Sequence, residues 1–402
     1  MKDNRKPDFN LLLLWAGQVF SQAGTRMYQI ALAWWIINRD SGHAGLKMGL
    51  LLVLSSLPSI LLIKLIGKWV DKYPTKKIIV MADAIAAILT AALAAWSLAA
   101  EVQLYHVYAL GFVLSFFQAL VDPSLNKAVP QIVSKSRTES AVALIVSTTS
   151  IANFSGAIFG ALCIGFLGIA GSLWVNAASY VLSALFSSRV SFRNKRDAVP
   201  APDGQTDGKI ATRTPKQKLL WRLLLGFGLI NFFATPTFIV MPVYVKNILG
   251  GQAFMLAVAE AGLWLGFISG SIIPKWIRTE KNFITVGGSG LLALGVFLLL
   301  TGILVHAVWY PVLLFFAGLS LSVANVKFIT LFQNVVEDSV KGRFFARLSA
   351  ISSFTFPVAF FLFGSLADVF KATQLCLVQG AGVILLSLWY FKAGAREKVL
   401  WN

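Results

Sequence analysis

Twelve stretches of this chain are apolar for long enough to cross a lipid bilayer, and that constrains the fold more than anything else in the sequence. A hydrocarbon core of about 30 Å takes roughly 20 helical residues to traverse. In lipid every backbone N–H and C=O must find its partner inside the segment, so helix is the form such stretches take. The runs cover 11–37, 48–66, 78–99, 105–121, 141–165 and 173–187, then 223–244, 254–274, 284–305, 309–332, 344–366 and 375–390. Charged residues are only 13% of the chain and hydrophobic ones 57%, too few polar groups to clothe a water-soluble domain of this size. The expected fold is an all-α membrane protein with twelve transmembrane helices.

The runs fall into two sets of six. Between them lies 189–222, rich in Arg, Lys, Asp, Pro and Gly, a composition that buries no core and reads as a charged linker. The expected organisation is an N-terminal six-helix bundle over 1–188, the linker on the cytoplasmic side, and a C-terminal six-helix bundle over 223–402. Two such repeats are related by an axis along the membrane normal. A faint echo supports the repeat: Pro130-Gln131-Ile132-Val133 and Gln333-Asn334-Val335-Val336 follow the fourth run of each set.

Lysine and arginine give the orientation. With the N-terminus inside, Arg39, Lys47, Lys246 and Lys371 are the basic residues of the outward connectors, and Arg26, Lys64, Lys327 and Arg347 lie within runs. All other basic residues fall on the inner side, which places both termini in the cytoplasm. That asymmetry accounts for the net charge of +18 without nucleic acid as a partner. Cys163 and Cys376 have no neighbour at ligand or redox spacing and read as packing residues, so neither a metal site nor a cofactor is expected. His43, His106 and His306 lie near the outward connectors and read as interfacial residues.

The connector after the second run reads Gly67-Lys68-Trp69-Val70-Asp71-Lys72-Tyr73-Pro74-Thr75-Lys76-Lys77. It resembles the loop signature of the major facilitator superfamily, with a glycine, an acid four residues later and a basic cluster. Pro74 stands where the family usually has a second glycine, and Thr75 where it often has arginine. The resemblance implies the major facilitator fold and a gating role for Gly67, Asp71, Lys72 and Arg343. Gly67 would let the helix approach a neighbour, and Asp71 would face the positive end of the eleventh helix near Gly342, Arg343 and Phe344.

Further stretches are similar to the macrolide-efflux and siderophore-export branch of that family: 17–27, Asp83, Asp122-Pro123, Asn176-Ala177-Ala178-Ser179-Tyr180 and Lys341-Gly342-Arg343. Thr25 replaces an acid common in that branch. The fourth run lacks the arginine, and the fifth the proline, seen in many proton-coupled exporters. Proton antiport is therefore implied by the resemblance and by no motif of this chain.

Ionisable groups inside spans are costly, at least about 2.5 kcal/mol each at the bilayer centre, so a functional role is the default reading. Lys64 and Arg347 lie near span ends and can snorkel, and Asp83 reads as a partner for nearby lysines. Glu260, among Ala, Leu and Gly, is the proton-coupling candidate. In the family's arrangement helices one, four, seven and ten line the central cavity, which makes Gln22, Arg26, Gln118, Asn231, Asn325 and Lys327 the lining candidates. Phe117, Phe232 and Phe233 would hold an apolar body there.

Glycines at 156 and 160, and at 262, 266 and 270, make small-residue stripes. The fifth and eighth helices face each other across the halves in this family, so the stripes would form a sliding seam. Static packing within one half is the alternative.

The sequence carries no HExxH, GxSxG or Walker loop, so no enzyme is expected. The reading is a secondary active transporter of the inner (plasma) membrane that works by alternating access. It would export small amphiphilic compounds of drug, macrolide or siderophore type, with protons as coupling ion, as a monomer among membrane lipids. The alternatives are an uptake permease, a lysolipid-translocating transporter and a membrane-embedded lipid enzyme.

Overall fold

The computed structural model describes residues 9–39, 42–133, 138–191, 215–273 and 282–395. Among these, all regular structure is helical. Thirteen helices run as α1 (Phe9–Arg39), α2 (Ala44–Leu61), α3 (Ile63–Lys72), α4 (Thr75–Ala99), α5 (Leu104–Ile132), α6 (Thr138–Arg189), α7 (Pro215–Ala234), α8 (Thr237–Asn247), α9 (Ala253–Ile272), α10 (Phe283–Ile303), α11 (Trp309–Val335), α12 (Asp338–Ala367) and α13 (Ala372–Gly394).

Three breaks reconcile thirteen helices with twelve spans. Pro58 lacks the N–H that an uninterrupted helix needs, and the following turn at Leu62 (φ −102°, ψ 11°) splits the second span into α2 and α3. Pro236 does the same between α7 and α8. Gly168, at φ 65° and ψ −167°, joins the fifth and sixth spans into the single bent α6, in a conformation that side chains with a Cβ rarely adopt. The fourth span runs past its expected end at 121 and through Pro123 to Ile132. Lys127 ties that extension to α3, donating to the Val70 carbonyl at 2.6 Å.

Among the described residues, ten helical stretches are long and apolar enough to cross a membrane. α1 is long enough but falls outside that set because it carries Gln18, Ser21, Gln22, Thr25 and Arg26 at its centre. Phe166, Ile88 and Leu385 each expose two thirds or more of their surface. Water would penalise such a surface, and acyl chains do not.

The chain divides into two compact units, one of Met1–Asn38 with Leu54–Val199, the other of Arg39–Val53 with Pro200–Asn402. Unit 1 packs α4 on α5 and α6, around a core that includes Leu14, Ile79, Val121, Leu125 and Val129. Unit 2 packs α9 along α11, and α10 on α11 and α13, around Leu223, Leu291, Phe328, Phe332 and Tyr390. The opening residues of α2 group with unit 2. Most of the linker expected at 189–222 lies outside the described residues.

Candidate functional site

Each unit carries a buried polar cluster that ties its first helix to its last. In unit 1 the centre is Asp83 of α4, 3% exposed. Its carboxylate accepts hydrogen bonds from Ser21 Oγ of α1 at 3.3 Å and Ser183 Oγ of α6 at 2.6 Å. Thr25, one turn beyond Ser21, donates to the Ser21 carbonyl at 2.8 Å and meets the Tyr180 hydroxyl at 2.7 Å. Close approach of the helices makes this possible: a Cβ on Gly24 would collide with the Ser179 side chain, so the glycine is required there. Among the described residues no cation pairs with Asp83, and the lysine partner expected from the sequence is replaced by two hydroxyls. Lys64 and Lys77 are exposed instead, and Lys76 donates to the Val190 carbonyl at 2.9 Å.

The unit 2 cluster is built on the break at Pro236. Interrupting a helix frees carbonyls that lipid cannot satisfy. Gln379 of α13 meets this need, its Nε2 donating to the Phe233 carbonyl at 2.9 Å and to Thr237 Oγ1 at 3.2 Å. One turn earlier Asn231 Nδ2 reaches Ser352 Oγ of α12 at 3.3 Å and the Phe227 carbonyl at 3.2 Å. Discontinuous helices with side chains completing their backbone are the usual substrate- and ion-binding elements of secondary transporters. Farther along the same span, Tyr244 stacks on Tyr310 with ring centroids 4.1 Å apart and donates to the Thr301 carbonyl at 2.7 Å.

The residues singled out from sequence meet different fates. Asn231 sits in the cluster just described. Gln22, Arg26 and Asn325 are half-buried, and Arg26 Nη1 donates to Gln29 at 3.3 Å on its own helix. Gln118 donates to Asp122 at 2.7 Å one turn along α5. Lys327 is 4% exposed, with its ammonium 5.8 Å from the Phe283 ring. Glu260 is buried in α9, 4% exposed.

The glycine stripes bring helices of the same unit close together. A Cβ at Gly156 or Gly160 would strike Arg26, Met27 or Ile30 of α1, and one at Gly262, Gly266 or Gly270 would strike the carbonyls of Pro311, Phe315 and Leu319 in α11. The nearest neighbours of each stripe lie within its own unit. The absence of a Cβ is used to bring two backbones together, which spacing alone reveals without naming the partner.

The two ends of the second span differ from one another. Gly67 has nothing within 4 Å of where a Cβ would stand, and Asp71 is exposed. Lys72 lies with its ammonium 5.6 Å from the Tyr73 ring, and Arg343 is half-buried. At the start of α2, unmarked by any sequence motif, Asp368 at the end of α12 accepts the Gly45 N–H at 2.8 Å and the Leu46 N–H at 3.0 Å, with His43 Nδ1 3.8 Å away. Gly45 and Gly49 there back onto Gly364, Phe360 and Ala367. The other histidines act locally, His106 accepting the Gln103 N–H and His306 the Val308 N–H, each at 3.2 Å. Cys163 and Cys376 are buried and free.

The described helices define a polytopic α-helical membrane protein. The chain belongs to the Major Facilitator Superfamily, whose family model matches residues 14–364. It is 22% identical to Macrolide efflux protein A of Streptococcus pyogenes over 382 residues, 93% of each chain. It is 24% identical to the uncharacterized MFS-type transporter YkuC of Bacillus subtilis, over 95% of this chain and 91% of that one. Among solved structures, a bacterial homologue of the iron transporter ferroportin in the inward-facing state superposes with a TM-score of 0.74 at 16% identity, covering 96% of this chain and 98% of the other. The nucleoside transporter NupG gives 0.71 at 14% identity, covering 96% and 98%.

Proposed function

We propose that this transporter exports small amphiphilic compounds of macrolide-like character by alternating access, in exchange for protons. What supports direction and substrate class is the end-to-end similarity to a macrolide efflux protein, which covers both units and leaves neither chain with a large unmatched part. The lining would come from Gln22, Arg26, Gln118, Asn231 and Asn325, with Phe232 and Phe233 offering apolar surface. Asp71 and Arg343 would act in the gate on the cytoplasmic side. The protein would sit in the inner (plasma) membrane as a monomer with both termini in the cytoplasm.

Proton coupling is carried by the partners of Asp83. A carboxyl bound to an arginine or lysine loses its partner when it gains a proton. A carboxyl bound to hydroxyls does not, because a serine hydroxyl both donates and accepts and simply reverses its role. Asp83 between Ser21 and Ser183 can change charge with its three helices still joined. Glu260 is the second candidate, buried in α9.

Cells lacking the gene should accumulate more macrolide or cationic dye, and re-expression should reverse the gain. Slower entry of a nutrient in those cells would point to an uptake permease instead. In proteoliposomes with an imposed pH gradient, Asp83→Asn or Glu260→Gln should uncouple transport from the gradient. Gradient-driven transport unchanged in both variants would remove the proton assignment.

A further inference from the structure

The connection between α3 and α4 leaves a helix start without a side-chain cap. The N-cap position is Pro74, which has no side-chain acceptor, and the first-turn N–H groups of α4 receive no side-chain cap. Behind it the Thr75 hydroxyl is buried, 3% exposed, and has no hydrogen-bond partner. Lys76 is committed to the Val190 carbonyl. Lys77 is exposed and lines a groove of about 320 Å³. The groove is lined by Lys77, Met81 and Ile85 of α4, by Phe117 of α5, and by Trp69 and Tyr73 at the end of α3.

The lining combines an ammonium close to the positive start of α4, two aromatics, and purely apolar side chains farther along the helix. Trp and Tyr settle at headgroup depth, basic side chains at that depth attract anionic lipid, and a helix start attracts a phosphate. Met81, at the apolar part, is itself 48% exposed, so the groove is continuous with the lipid-facing surface. We propose that this groove is a binding site for an anionic phospholipid, with its phosphate at Lys77 and the start of α4 and one acyl chain along Met81, Ile85 and Phe117. The site does not depend on which solute is carried. All its residues belong to unit 1, and the basic connector places it in the cytoplasmic leaflet.

The test uses the full chain purified in a mild neutral detergent, with phosphatidylglycerol, phosphatidylcholine or glycerol 3-phosphate added. Thermal unfolding and native mass spectrometry read binding. Phosphatidylglycerol should stabilise and be retained, and the other two should not. Lys77→Gln, an exposed change that leaves the fold intact, should weaken phosphatidylglycerol retention at least about fivefold, and Lys77→Arg should restore it. Met81→Asp should do the same from the acyl side. Equal stabilisation by phosphatidylcholine, equal binding of glycerol 3-phosphate, or retention unchanged in both Lys77→Gln and Met81→Asp would overturn the proposal.

Discussion

The second span is held differently at its two ends. At the start of α2, glycines 45 and 49 lie against the backbone of α12, and a carboxylate from the end of α12 accepts the first free N–H groups of the helix. At α3, the glycine has open space beside it and the aspartate is exposed. The family signature marks the open end, and nothing in the sequence marks the closed one. A motif thus reports where a contact is made at some stage of a working cycle, whereas glycine packing and capping report where one is made in the conformation at hand. Both are statements about α2 and α3, and they become separable by substitution.

The largest effect is expected from Gly49→Leu. Its side chain would have to displace the Phe360 carbonyl and the Gly364 backbone, an overpacking cost of about 3 kcal/mol. Thermal unfolding of the purified protein should show it as a marked loss, and a midpoint equal to the wild type would mean that the clasp is not a fixed contact. Asp368→Ala comes next, at about 1 kcal/mol for the lost cap, because Gly45 and Leu46 would leave two helix-start N–H groups without their acceptor. Asp368→Asn keeps an acceptor oxygen and should recover part of that loss. Smallest in stability is Gly67→Leu at the open end, expected within about 0.5 kcal/mol of wild type. Its effect should appear in transport, since the side chain would obstruct the approach that the gate requires. A stability loss at Gly67 as large as that at Gly49 would erase the contrast between the two ends.

Much of the fold was legible because lipid imposes a one-dimensional rule: a span is a run of apolar residues, and runs can be counted. The breaks within spans were less so. Pro58 and Pro236 lie inside apolar runs and carry no N–H, but no break is read from them in the sequence, and the donor that repairs the second, Gln379, lies 146 residues from the Phe233 carbonyl it completes. Asp83 shows the same limit. Its cost inside a span was evident, yet its partners stand 62 and 100 residues away, and a search for a nearby cation pointed to the wrong chemistry. The glycine stripes were visible as spacing, but their partners depend on which helices are neighbours.

The proposal of proton-driven export is tested most directly in everted membrane vesicles from cells expressing the chain, supplied with radiolabelled macrolide and an acid interior. Label should accumulate inside, a protonophore should collapse the gain, and vesicles bearing Asp83→Asn together with Glu260→Gln should show no gradient-dependent component. Accumulation no greater than in vesicles lacking the chain, or accumulation indifferent to the protonophore, would contradict the account.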